Sequence, residues 1–300
     1  MDMINVVEVG PRDGFQNVKE YIDTEDKFEI IKSIVNSGVQ NIQCTSFVSP
    51  KAIPQMRDAR KIVELCLSNF EDINFFALTP NLRGAGEAAN AGLDHIAWVI
   101  SLSETHNLKN INRSHKASLE ELENLRQKYP DLKIDIDLAT TFGCPFEGRK
   151  SYKEIEIFID KLIKIGYKNI NLCDTIGVAY PSQVRNVIEQ LNKKFPDIEL
   201  SVHIHDTRNM GIINTMTAIS AGVRNVQTTL GGLGGCPFAP GASGNTATED
   251  LNYILQREGY STGINQDLLM DAAKKECRII VNGAYSGHLM KIETAHDDFV

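Results

Sequence analysis

The chain has 300 residues, 42% of them hydrophobic and 23% charged, with a net charge of −8. That balance suits an ordinary soluble globule with a substantial core, and it argues against a broad nucleic-acid surface, which needs clustered Lys and Arg. No apolar run approaches the roughly 18 residues of a membrane span, and the first residues lack the basic start and apolar core of a signal peptide, so the cytoplasm is the expected compartment, with neither membrane nor nucleic acid as partner.

The predicted elements alternate along the chain. A strand at Ile4–Val9 ends in Gly10-Pro11-Arg12-Asp13-Gly14, and Thr24 is expected to cap a helix running to Ser37, with Glu25 and Asp26 in its first turn. Strand Asn41–Thr45 precedes a helix at Asp58–Leu67, and strand Asn74–Leu78 a helix at Leu82–Ala91. Strand His95–Ile100 is followed by a helix at Leu119–Gln127, and strand Lys133–Ala139 by a helix at Tyr152–Ile165. Strand Asn169–Cys173 leads to a helix opened by Pro181, and strand Glu199–His203 to a helix at Ile212–Ser220. The last strand is Asn225–Thr229; helices at Thr246–Gln256 and Gln266–Asn282 follow, and residues 295–300 read as a mobile end.

A weak repeat supports the count. Gly38, Gly92, Gly166 and Gly222 each sit between a helix and a short step into a strand, where a left-handed residue is expected. Eight strand–helix units without a linker predict parallel strands closed into a TM-free α/β fold, a TIM (β/α)8 barrel, as one catalytic domain over residues 1–300 with a helical C-terminal extension from about residue 246.

Such barrels carry their chemistry at the carboxyl ends of the strands. His203 and His205 lie two apart on one strand and so share a face, a compact chelate for a divalent metal; the alternative is a pair of hydrogen-bonded imidazoles in a polar rim. Asp13 and Asn245 complete a set of oxygen and nitrogen donors that suits Mg²⁺ or Mn²⁺, with Zn²⁺ also compatible. Arg12 can stabilise an enolate oxygen, the alternative being a salt bridge to Glu8, Glu104 or Asp174. Gln16, Gln43, Ser46, Glu104, Thr141, Asp174 and Arg208 are the candidate substrate-binding residues, all near strand ends. The glycine-dense Gly231–Pro237 reads as a mobile lid bringing Cys236 to the site as a proton donor or acceptor, against the alternative of an inert loop thiol. Of the six cysteines, Cys44, Cys66, Cys173 and Cys277 are expected to be small buried hydrophobes, and Cys144 and Cys236 lie in turns. None forms a CxxC pair.

Together these stretches resemble the 3-hydroxy-3-methylglutaryl-CoA lyase family. The resemblance is carried by Val7–Asn17, Thr45–Lys51, Ser103–His106, Asn110–Ser114, Cys173–Gly177, His203–Thr207 and above all Gly232–Asp250. It implies a metal-dependent retro-Claisen cleavage of a 3-hydroxyacyl-CoA to acetyl-CoA and a keto acid, acetoacetate for the prototype substrate. By analogy Asp13 or His203 is the base, Arg12 stabilises the enolate, Cys236 protonates it, Glu249 supports the lid or Asn245, and a homodimer is the expected assembly. The chain departs from the family pattern at Gln43, where Glu is expected, at Gln227, where Asp is expected, and at Arg208-Asn209-Met210 in place of Tyr-Gly-Gln. These exchanges leave a citramalyl-like thioester as an alternative substrate. A Claisen-type synthase, a pyruvate-forming aldolase and a non-enzymatic metal-binding barrel are the other readings.

Overall fold

The structure is a computed structural model and describes residues 2–235 and 244–292. Eight strands form a closed parallel barrel: β1 Asn5–Glu8, β2 Asn41–Ser46, β3 Asn74–Thr79, β4 His95–Ser101, β5 Lys133–Ala139, β6 Asn169–Asp174, β7 Glu199–Ile204 and β8 Asn225–Thr228. Neighbours in sequence are neighbours in space, and β1 closes on β8 with Asn5 opposite Asn225. The expected barrel is therefore present. A two-residue ladder, Gly143–Cys144 with Gly148–Arg149, sits on the loop after β5.

The helices are α1 Thr24–Asn36, α2 Ala59–Asn69, α3 Leu82–Asn90, α4 Glu104–Ile111, α5 His115–Lys128, α6 Tyr152–Ile165, α7 Pro181–Lys194, α8 Gly211–Ser220, α9 Thr248–Arg257 and α10 Gln266–Ile279. The four repeat glycines have φ between 100° and 106°, the left-handed conformation that lets each helix turn sharply into the next strand. Two local expectations change. Thr24 is the first helical residue rather than the cap, and its hydroxyl donates to Asp58 Oδ2 at 2.8 Å. The connection after β4 holds two helices, not one: Ser103 caps α4, Asn112 turns the chain with φ 54°, and Ser114 caps α5. Both helices are strongly polar, so a search for apolar periodicity finds only part of the second.

Most of the core lies between strands and helices, with Trp98, Tyr167, Phe15 and Phe142 among its largest fully buried side chains. The lumen holds a much smaller apolar cluster of Val7, Val9, Phe76 and Ala97. The rest of the lumen is polar, in contrast to the branched aliphatic layers that usually fill such barrels. At its amino-terminal floor the strands begin with a girdle of hydrogen-bonded side chains. Asn74 Nδ2 donates to Asn41 Oδ1, Asn41 to Asn5, Asn5 to Asn225 and Asn225 to Glu199, at 2.6–2.8 Å. His95 lies between Asn74 and Asp135, and Asn169 donates to Asp135 at 3.1 Å.

Cys44, Cys66 and Cys173 are buried as expected; Cys144, in the two-residue ladder, is buried too, with its Sγ 3.0 Å from Ser103 Oγ. Cys277, on α10, is only half-buried, against the expectation of a buried hydrophobe. Cys236 and the chain end fall outside the described residues. No helix among the described residues is long and apolar enough to cross a membrane.

Candidate active site

At the carboxyl ends of the strands the barrel opens into a cavity of about 690 Å³ that is partly open to solvent. Arg12 and Asp13 reach it from a tight wide turn just after β1, in which the Arg12 and Asp13 amides both donate to Val9 O, at 3.0 and 2.7 Å. His203 arrives on β7, and His205 follows directly. Asn245 is set opposite His205 by an antiparallel bridge between them, extended by Asp206 N donating to Gly244 O at 3.0 Å.

Asp13, His203 and His205 are buried, and one donor atom from each lies within 4.8 Å of the others. Both imidazole Nε2 atoms face Asp13 Oδ2, at 3.8 and 3.9 Å, beyond hydrogen-bond reach but close enough to share an ion. Asn245 Nδ2 donates to the same Oδ2 at 2.8 Å, while its Oδ1 is buried without a partner among the described residues. The Nδ1 of His205 is likewise unpartnered. Turning the Asn245 amide over would present Oδ1 to the cluster.

Charge makes these groups ready ligands. Burial alone would raise the Asp13 carboxyl, but the Arg12 guanidinium and the two imidazoles beside it outweigh this and hold it well below the usual carboxylate range. Burial pushes His203 down to about 3 against the pull of Asp13, and pushes His205 down as well. At neutral pH the set is one carboxylate and two neutral imidazoles, the protonation states a divalent metal requires. With an amide oxygen to spare and no thiolate, the donors fit such an ion.

Arg12 is buried and donates through Nε to Gln43 Oε1 and through NH1 to Asp13 Oδ1. Its ion pair is thus with Asp13, not with Glu8, Glu104 or Asp174. Gln16 lines the cavity and donates to Asp13 Oδ1 at 3.0 Å.

The other candidate residues serve the walls. Gln43 is wholly buried behind Arg12. Ser46 Oγ donates to Leu78 O at 3.1 Å and Thr141 Oγ1 to Leu138 O at 2.6 Å, so both hydroxyls are used on backbone. Asp174 accepts from the Val178 and Ala179 amides and shapes its own loop; burial raises it to about 6. Arg208 is exposed and donates to the carbonyls of Ile176 and Gly177. Glu104 is exposed at the start of α4 and accepts from His115 N at 3.2 Å, with no wall of the cavity formed by it. None of these six lines the cavity, because their polar atoms are engaged with backbone groups or, for Gln43, with Arg12. Glu249 is fully buried at the start of α9, where Oε2 accepts from Gly231 N at 2.9 Å. It thereby braces the chain leading to Gly235, which lines the cavity immediately before Cys236.

The cavity wall also includes His106, Asn110, Asp137, Cys173 and Gln227. Of these, His106, Asn110 and Cys173 fall in stretches that carry the family resemblance, Gln227 is one of the departures from it, and Asp137 is in neither. Asp137 was nevertheless legible in the alternation Lys133-Ile134-Asp135-Ile136-Asp137-Leu138, which places both acids on one face.

Comparison with known proteins agrees with this geometry. The family model HMGL-like matches residues 3–275. The chain belongs to the HMGL-like family. It is 40% identical over 274 residues to the hydroxymethylglutaryl-CoA lyase YngG of Bacillus subtilis, covering 90% of this chain and 91% of that protein. It is 37% identical over 279 residues to the human mitochondrial hydroxymethylglutaryl-CoA lyase, covering 92% and 86% of the two chains. A structure of an HMG-CoA lyase from Acinetobacter baumannii in complex with coenzyme A and 3-methylmalate superposes with a TM-score of 0.92 at 36% identity, over 99% of this chain and 97% of that one. The HMGL-like barrel and the cluster at its mouth thus occur together here.

Proposed function

We propose that this HMGL-like protein is a divalent-metal-dependent carbon–carbon lyase that cleaves 3-hydroxy-3-methylglutaryl-CoA to acetyl-CoA and acetoacetate. The observation that carries the reading is the buried group of Asp13, His203 and His205 beside Arg12 at the barrel mouth, in a chain of this family. Asp13, His203, His205 and Asn245 would hold the ion, and magnesium or manganese is the expected metal. When bound, the metal supplies a Lewis acid that polarises the substrate's 3-hydroxyl and adjoining carbonyl oxygen.

The side chains do the rest. The proposed base for the 3-hydroxyl proton is Asp13, whose Oδ1 is not the oxygen facing the two imidazoles, because a His203 that holds the ion through Nε2 has no lone pair left to take it. The electron pair of the C2–C3 bond moves to C2 as C3 becomes the ketone of acetoacetate. The thioester enolate left behind is met by the Arg12 guanidinium, which Gln43 and Asp13 hold in one orientation. A proton delivered to C2 gives acetyl-CoA, and Cys236, next in the chain after the cavity-lining Gly235, is the proposed donor. An acyl-CoA thioester as substrate accords with the coenzyme A described in the Acinetobacter relative. A homodimer and a cytoplasmic setting complete the reading; the cysteines free among the described residues are compatible with a reducing compartment.

The decisive experiment is turnover of 3-hydroxy-3-methylglutaryl-CoA by purified protein before and after chelation. Activity should vanish with EDTA and return with Mg²⁺ or Mn²⁺. Cleavage that survives complete metal removal would sink this reading, as would the absence of cleavage by metal-loaded protein.

A further inference from the structure

The lumen holds a carboxylate that the reaction outlined above does not use. On β5, Ile134, Ile136 and Leu138 face outward into the core between strands and helices, which turns Asp135 and Asp137 inward. Asp135 belongs to the floor girdle through His95 and Asn169. Asp137 lies one layer nearer the mouth, only 4% exposed, in the wall of the cavity that also contains Arg12, Asp13 and His203.

One of its oxygens is fixed by a relay across three strands. Ser201 Oγ on β7 donates to Asn171 Oδ1 on β6 at 3.1 Å, and Asn171 Nδ2 donates to Asp137 Oδ1 at 2.8 Å. The other, Oδ2, is buried without a hydrogen-bond partner among the described residues. Buried polar atoms in folded proteins are almost always hydrogen-bonded, and a lone buried carboxylate oxygen is costly. Here the relay holds the carboxyl in place, and Asp137 belongs to the wall of the cavity in which the acyl group must sit.

We propose that Asp137 is a specificity-determining residue whose Oδ2 accepts a hydrogen bond from a hydroxyl on the carbon branch of the substrate that enters the lumen. The preferred thioester would then carry, at C3, a hydroxylated branch in addition to the 3-hydroxyl consumed in the cleavage. This rests on the lyase reading and narrows its substrate class. Chemistry selects the hydroxyl over the other groups a branch could present. A bare methyl leaves Oδ2 buried and unpaired, a second carboxylate would set like charges against each other, and an ammonium would sit in the field of Arg12. A site built around a substrate hydroxyl discriminates strongly against the analogue that lacks it.

The test compares kcat/KM of the Mg²⁺-loaded protein on 3-hydroxy-3-methylglutaryl-CoA and on its analogue with a hydroxymethyl group in place of the 3-methyl. The wild type should favour the hydroxymethyl compound by roughly tenfold or more, the worth of one hydrogen bond to a charged acceptor. In D137L that ratio should collapse toward one or below, and in D137N, whose one oxygen is taken by Asn171 Nδ2 and whose NH2 can donate to the hydroxyl instead of accepting from it, only part of it should remain. Equal or poorer turnover of the hydroxymethyl compound by the wild type overturns the assignment and leaves the lyase reading standing, a result that does not depend on any variant folding. So does a folded D137L, with an unchanged melting profile, that loses the same factor on both compounds. Failure to cleave either thioester overturns the lyase reading and this inference with it.

Discussion

Arg12 works through the shape of its head group as well as its charge. Nε goes to Gln43 and NH1 to Asp13, so two of its edges are fixed and the rest of the fork is left for substrate. A lysine at this position keeps the charge but cannot hold both neighbours and present a donor in a set direction. R12K should lower kcat about a hundredfold or more, the usual worth of one donor aimed at a developing oxyanion, with a much smaller change in KM. Steady-state kinetics at saturating Mg²⁺ measure this; a kcat within threefold of the parent would remove Arg12 from the reaction. At this scale the sequence was most readable where backbone geometry dictates direction. His203 and His205 had to share a face, and Arg12 and Asp13 had to lie at a strand end. It was least readable for residues beyond the strand ends such as Glu104 and Arg208, whose direction is decided by which backbone groups need a partner. Asp137 gives no strand-end signal, because it lies within β5, and only the strand's alternation marks it as inward-facing.

At the scale of elements, the start of α9 ties the active-site wall to the outer helices. Glu249 Oε2 accepts from Gly231 N, Gly287 N donates to Gly231 O at 2.9 Å, and Ser286 Oγ donates to Asn245 O at 2.6 Å. Gly231 and Gly232 have φ of 62° and 66°, and a side chain on Gly232 would run into Ser286. The resemblance pointed to Glu249 as a support of the glycine run, but the parts played by Ser286 and Gly287 were not legible, because they lie far along the chain and meet it only through the fold. By contrast, the left-handed turns at Gly38, Gly92, Gly166 and Gly222 were legible because each is set by purely local chemistry. The clasp has a pH signature. Burial, with neighbouring Asp250 adding to it, raises Glu249 to about 8 from an ordinary carboxylate value of 4.5. The folded state therefore binds a proton that the unfolded chain releases near pH 4.5, so this group's stability is complete below that pH and is lost as pH rises through about 8. E249Q, whose amide oxygen can still accept from Gly231 N, should flatten the fall in stability between pH 5 and pH 8 by at most about 1.4 kcal/mol per pH unit. Urea unfolding at a series of pH values checks it, and an identical slope in parent and variant would show that Glu249 is not the titrating group.

For the molecule as a whole, the barrel divides its labour between its two ends. The mouth gathers groups that are under-bonded, among them Asn245 Oδ1, His205 Nδ1 and Asp137 Oδ2. The floor gathers groups bonded to one another from strand to strand, beginning with the first residues of β1, β2 and β3. That eight strands close was legible in the repeat and the count, but the girdle was not, because an asparagine opening a strand looks like ordinary turn chemistry until closure brings the strands side by side. Asn41 sits at the centre of the chain, donating to Asn5 Oδ1 and accepting from Asn74 Nδ2, both at 2.8 Å. N41A would leave one acceptor and one donor in the lumen without partners, at a cost of about 1–3 kcal/mol. The midpoint of urea unfolding should fall accordingly, while kcat and metal affinity of the folded fraction stay at parental values, since the girdle lies at the opposite end from Asp13 and His203. An unchanged midpoint would mean that solvent at the floor satisfies the freed groups as well as Asn41 does. A loss of metal affinity without loss of stability would mean instead that the two ends are mechanically coupled, and the division of labour would have to be abandoned.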